Sequence, residues 1–265
     1  MERRQFLAVS LATSVAAIAA PSNGAQTPAS RERQYYLLRR YFLQTGPQTK
    51  LAEDYFRGAL IPALTRIGLG PIGAFRVDVG LETPTFYLLI PGPTVEAVAA
   101  VDLRLAKDAE FLKAAEPFWS APATSPAFVR MESALMAAFE GWPKVTPPEA
   151  ASTKSKRIFQ LRIYESPSDR DHLRKVEMFH SGEFDIFLKA GFHPVFFGDT
   201  IVGPRMPNLI YMLAFADAAE MNAKWDVFRN DPAWKKMQAD SRFSYEAIVS
   251  NITNLLLSPL DASQI

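Results

Sequence analysis

A short pattern, Arg-x-Tyr, occurs twice in this chain of 265 residues, as Arg39 with Tyr41 and as Arg162 with Tyr164. Residues two apart on a strand share a face. A guanidinium there can hold an anion, and a phenol beside it can give or take a proton. His193 and Tyr211 complete the candidates for a ligand-lining set: Arg39, Tyr41, Arg162, Tyr164, His193 and Tyr211. His193 follows a helix stop at Gly191, and Tyr211 sits mid-strand, where it can face either layer. The three histidines, His172, His180 and His193, all lie in the second half, so no multi-histidine metal site can be duplicated. The absence of Cys excludes disulfides, thiolate nucleophiles and Cys-based zinc or iron–sulfur sites. No metal site and no cofactor are predicted; a haem would need His180 or His193 as its axial ligand. The sequence holds no P-loop, Gly-x-Gly-x-x-Gly, Gly-x-Ser-x-Gly or His-Glu-x-x-His motif. Nucleotide-dependent, serine-hydrolase and zinc-protease chemistry are therefore not expected.

The elements that carry these residues repeat. A shift of 123 positions lays Phe56 on Phe179, Gly68 on Gly191, Pro84 on Pro207 and Asp108 on Asp231. A period this long marks a duplicated domain rather than a solenoid. In each copy a strand (35–42; 157–165) is followed by an amphipathic helix ending at a glycine. Two strands and further helices follow, with Asp108 and Asp231 read as helix caps. A last strand closes each copy. The reading is α+β: two tandem ferredoxin-like β-α-β-β-α-β units, at 34–140 and 157–258, joined by a linker over 141–156. Each sheet needs a cover for its second face, so the two are expected to close into an intramolecular α/β barrel.

Alternation assigns faces. Phe159, Leu161 and Ile163 form an apolar face expected under the helices. Arg162 and Tyr164, like Arg39 and Tyr41, are then expected to point into the barrel. An inward arginine either lines a ligand cavity or is paired and stacked at the sheet interface, because an unpaired buried charge is costly.

Residues 1–25 read as a Tat-type signal peptide: Arg3-Arg4 precede Phe6-Leu7 and a short Ala-rich apolar stretch. The protein is expected to be periplasmic or extracellular, with no stable membrane insertion after cleavage. A net charge of +1 gives no sign of a nucleic-acid partner.

The second half resembles the NIPSNAP family of the dimeric α/β-barrel superfamily. The resemblance rests on Leu161-Arg162-Ile163-Tyr164, on Gly191 to Gly198, on Leu209 to Leu213, and above all on Trp225-x2-Phe228-x2-Asp231-Pro232-x-Trp234. The first half looks like a diverged copy, with Asp102 in place of Trp225 and Phe111 in place of Trp234. The resemblance implies the barrel fold and paired domains, with no catalytic residues to carry over. Further pairing into a homo-oligomer is a superfamily habit. The leading expectation is a small, partly apolar ligand in the barrel cavity. The alternatives are a cofactor-independent monooxygenase or isomerase using Tyr164, Arg162 or His193, and a non-catalytic interaction protein.

Overall fold

The computed structural model describes residues 32–265. The signal peptide read over residues 1–25 lies outside them. Among the described residues, no helix is long and apolar enough to cross a membrane.

The duplication is visible in the backbone. Strands β1 (Tyr35–Phe42) and β5 (Ile158–Glu165) occupy matching positions of the 123-residue shift, as do β3 (Thr85–Gly92) and β7 (Asn208–Phe215). Strands β2 (Gly73–Val79) and β6 (His193–Val202), and β4 (Arg130–Ala138) and β8 (Asn251–Pro259), complete the two sets. The first helix of each copy is interrupted at the same place. In copy one, α1 (Pro47–Tyr55) passes through a π-turn, Phe56–Leu60, into α2 (Ile61–Arg66). Helices α3 (Val95–Ala99), α4 (Val101–Leu105), α5 (Ala109–Trp119) and α6 (Glu149–Ser152) follow before the second copy begins. There α7 (Asp169–Met178) passes through a π-turn, Phe179–Glu183, into α8 (Phe184–Lys189). Then come α9 (Ala218–Asn230), α10 (Pro232–Gln238) and α11 (Tyr245–Ile248). Asp108 and Asp231 are caps: their carboxylates accept from the N–H groups of Phe111 and Ala233.

The eight strands form one closed barrel in the order β1-β3-β2-β8-β5-β7-β6-β4. Each copy contributes four neighbouring strands. The copies join where β2 pairs with β8 and β4 with β6, so no sheet edge is left open. Helices cover the outside.

The barrel interior is packed with apolar side chains. Phe75, Phe159, Leu161, Phe196, Met212 and Leu257 are fully enclosed there. Phe75 meets Phe159 edge-on at 4.9 Å between ring centroids, and Tyr36 meets Phe196 at 5.4 Å. Ile265 folds back into the same cluster, its carbonyl held by the buried Arg157 at 2.8 Å. At one mouth, between Leu38, Tyr87 and Ile210, a pocket of about 50 Å³ remains. That is far below the roughly 300–1,000 Å³ of ligand pockets.

This corrects two expectations. The barrel holds side chains in place of a ligand cavity, and the faces are reversed. Phe159 and Leu161 point into the barrel. Tyr41 packs with the first-half helices, and Tyr164 and Tyr211 with the second-half helices. Both faces of each strand are covered, so alternation fixes which residues travel together but not which layer they join. The run Phe159, Leu161 and Ile163 needs no polar partner inside, and the arginines that share inward positions have one: Arg157 the Ile265 carbonyl, Arg40 the carboxylates of Glu82 and Glu132.

Candidate ligand site between sheet and helices

Strand β5 carries Gln160, Arg162 and Tyr164 on its helix-facing side. Tyr211 of β7 stands directly opposite Arg162 in the ladder, and Ile252 of β8 opposite Tyr164. Over them lie Lys175 and Glu183 from the interrupted helix, Trp225 and Phe228 from α9, Trp234 from α10 and Tyr245 from α11. The π-turn matters here. Its extra residue puts Lys175 and Glu183, eight positions apart, on one helix face, where a regular α-helix brings residues seven apart together. Gly182 accommodates the distortion with φ of 126°.

Arg162 is the centre. Its Nη2 donates to the Tyr164 hydroxyl at 2.7 Å. Its guanidinium carbon sits 4.5 Å from the Trp225 ring centroid and 5.3 Å from that of Tyr164. Trp225 is fixed in turn by its indole N–H donating to Gln160 Oε1 at 2.8 Å. Nε of Arg162 is buried with no partner, and among the described residues the guanidinium forms no ion pair. Tyr164 and Tyr211 stack at 5.7 Å with their hydroxyls 3.4 Å apart. Behind them, Lys175 Nζ donates to Glu183 Oε2 at 3.0 Å, both side chains essentially sealed from water. Three rings, of Phe179, Tyr164 and Tyr245, surround that ammonium at 4.5 to 5.4 Å.

The electrostatics follow from enclosure. Burial pushes the phenols of Tyr211 and Tyr245 well up, so both stay neutral and act as hydrogen-bond donors. Burial also raises the Glu183 carboxyl above its ordinary value, against the pull of Lys175 and Arg162. For Arg162 burial disfavours the charge, but the oxygens of Tyr211 and Tyr164 outweigh it, and the guanidinium stays charged. With Lys175 and Glu183 paired, the cluster carries an uncompensated positive charge at Arg162.

A cleft of about 300 Å³ opens onto this cluster, walled by Trp225, Phe228, Trp234 and Tyr245 with Ile252 at its edge. That is the low end of ligand-pocket sizes.

The first copy has no such arrangement. Positions matching Lys175, Glu183 and Tyr211 hold Ala52, Leu60 and Leu88, all fully buried. Tyr41 meets Phe56 edge-on at 5.2 Å, and Tyr55 stacks on Phe118 at 4.0 Å. Arg39 pairs with Asp102 at 2.7 Å, and Asp102 occupies the position of Trp225.

Of the six residues singled out by sequence, then, the structure brings Arg162, Tyr164 and Tyr211 together. Arg39 and Tyr41 lie in the closed first-half counterpart. His193 stands apart at the start of β6, its Nε2 3.3 Å from the Thr146 carbonyl. His180 bridges the Val176 carbonyl and the Gly141 N–H, and His172 contacts Asp199. No histidine lines the cleft, so the residues present do not fit an axial haem ligand there. Sequence reasoning missed Lys175, Glu183 and Tyr245, and named Trp225 and Trp234 only as carriers of the family resemblance. One signal was available: the 123-residue shift sets the charged Lys175 and Glu183 against the core residues Ala52 and Leu60.

The NIPSNAP family model matches residues 159–264, a span that contains every residue of this cluster. No curated protein matches the chain. Among solved structures, a "putative monooxygenase" from Lactobacillus acidophilus is similar at 11% identity, with a TM-score of 0.54 over 86% of this chain and 94% of its own. Another "putative monooxygenase", from Fusobacterium nucleatum, is 9% identical, with a TM-score of 0.55 over 87% and 94%. An "anthrone oxidase-like protein" is 11% identical, with a TM-score of 0.51 over 87% and 92%. At these identities the likeness is one of fold.

Proposed function

From the premise that the second half of the chain is a NIPSNAP domain, we propose that this protein binds a small, partly apolar molecule. The ligand sits in the cleft between the second-half sheet and its helices, not in the barrel. One observation carries the reading. An aromatic-walled cleft of about 300 Å³ opens onto a guanidinium and phenol hydroxyls in one copy of the repeat, while in the other copy the matching arginine is buried and paired with Asp102. The twin-arginine leader at Arg3-Arg4 supports placing this activity outside the cytoplasm.

Native mass spectrometry on the protein purified from its own source tests the reading. A low-mass companion retained by the wild type, and lost when the cleft is plugged by Ile252→Trp, is the expected result. Bare protein mass in both would end it.

A second reading is an enzyme, a cofactor-independent oxygenase or isomerase; two of the proteins that share this fold are named putative monooxygenases. The observation in its favour is the Tyr164–Tyr211 hydroxyl pair beside Arg162, which can stabilise a developing enolate by neutral and charged hydrogen bonds. Tyr164→Phe is then expected to keep the melting temperature and lose turnover of the retained compound; unchanged turnover would eliminate this alternative.

A further inference from the structure

The two copies differ at one informative position. In copy one, the strand arginine Arg39 is almost fully buried and is neutralised by Asp102 at 2.7 Å. In copy two, the matching arginine is Arg162, and the position of Asp102 is taken by Trp225, whose ring centroid lies 4.5 Å from the guanidinium carbon and does not neutralise it. The carboxylate that closes the first site is therefore missing from the second. The second site also keeps an open cleft, with the Tyr164 and Tyr211 hydroxyls beside the guanidinium, whereas the arginine Nε is buried without a partner in both copies.

We infer that the ligand of the second-half cleft is a planar aromatic carboxylate. Its carboxylate docks on Arg162 as Asp102 docks on Arg39, and its ring lies among Trp225, Phe228, Trp234 and Tyr245. This rests on the ligand-binding reading above and assigns the ligand's chemical class. A carboxylate suits a guanidinium because two of its oxygens match the N–H fork, and a charged acceptor gives the stronger bond. The phenols add donors where the second oxygen falls. An aromatic ring suits the walls because offset and edge-on contacts with indole and phenyl rings add to simple area burial. The internal Asp102 shows in this molecule that the strand arginine of the repeat accepts a carboxylate from that side. Its loss from one copy leaves the same charge to be met by something that diffuses in. Burying that charge without a partner would be costly, so the cleft favours an anion over water or a neutral compound.

The probes are benzoate, 1-naphthoate and their neutral amides, titrated against intrinsic tryptophan fluorescence, since Trp225 and Trp234 line the cleft. The acids are expected to bind saturably, and the amides at least tenfold more weakly. Arg162→Gln should abolish the preference for the acid. Trp225→Asp, which restores the carboxylate of the first copy, should abolish acid binding; Trp225→Phe, which keeps the aromatic wall, should retain it and controls for a general loss of packing. Acid and amide binding equally, with Arg162→Gln unaffected, would overturn the carboxylate assignment while leaving the cleft as a binding site. If neither acids nor amides bind, the assignment and the binding reading both fall.

Discussion

The Lys175–Glu183 pair allows a sharp test of how this site is held together. Both side chains are sealed from water, and the charged atoms are 3.0 Å apart. At that distance, with an effective dielectric near 20, their attraction is about 5–6 kcal/mol. Most of it is offset by the cost of taking two ions out of water. Removing one partner keeps the desolvation cost of the other, so Lys175→Met and Glu183→Leu should each destabilise by about 3–5 kcal/mol. For a protein of this size that is roughly 6–20 °C in melting temperature. The double variant, Lys175→Met with Glu183→Leu, should recover most of the loss, because the first copy fills the same positions with Ala52 and Leu60 and folds around them. The pH dependence adds a second readout. Burial holds the Glu183 carboxyl above its ordinary 4.5. A group raised in this way contributes stability that is fully present below pH 4.5 and is lost as the pH rises through its folded value. Lys175 opposes that rise, so deleting it drives the carboxyl higher still. The Lys175→Met deficit should therefore be smaller at pH 5 than at pH 7. Urea denaturation followed by tryptophan fluorescence at the two pH values measures all of this. A Lys175→Met protein within about 0.5 kcal/mol of wild type, or a double variant no better than the worse single, would refute the reasoning.

Two more predictions concern the face reversal and the first copy. Phe196→Ala removes a ring from the filled barrel and should cost about 3–5 kcal/mol in urea denaturation; a cost below about 1 kcal/mol would place that face elsewhere. Asp102→Ala leaves the buried Arg39 charge without a partner and should cost about 3 kcal/mol, whereas Arg39→Met leaves a half-exposed carboxylate that water can solvate and should cost less. Equal losses from the two would mean that burial does not set the asymmetry.

Particular residues show what could be read before folding. The match of Gly68 with Gly191 and of Asp108 with Asp231 is local chemistry: a helix stop with positive φ in both copies, and a carboxylate capping exposed N–H groups. Such features depend on a few neighbouring residues, so they survive in the sequence. Strand parity is equally local, which is why Arg162 and Tyr164 were identified as a pair. Tyr245 was not legible as their partner, because it reaches the site from a short helix more than 80 residues away along the chain. The π-turn at Phe179–Glu183 was not legible either; nothing in five consecutive residues shows that one more has been inserted into the helical turn.

The sequence by itself determined the duplication, the order and caps of the elements, and which side chains share a strand face. The tertiary structure decided which face became the inside. Closing eight strands seals one layer from water, so a charge that enters it needs a partner inside, as Arg157 finds in the Ile265 carbonyl, while Phe159, Leu161 and Ile163 need none. Arg162 and its tyrosines were left to the outer layer, where Lys175, Glu183 and Trp225 arrive from distant helices and the cleft stays open to solvent.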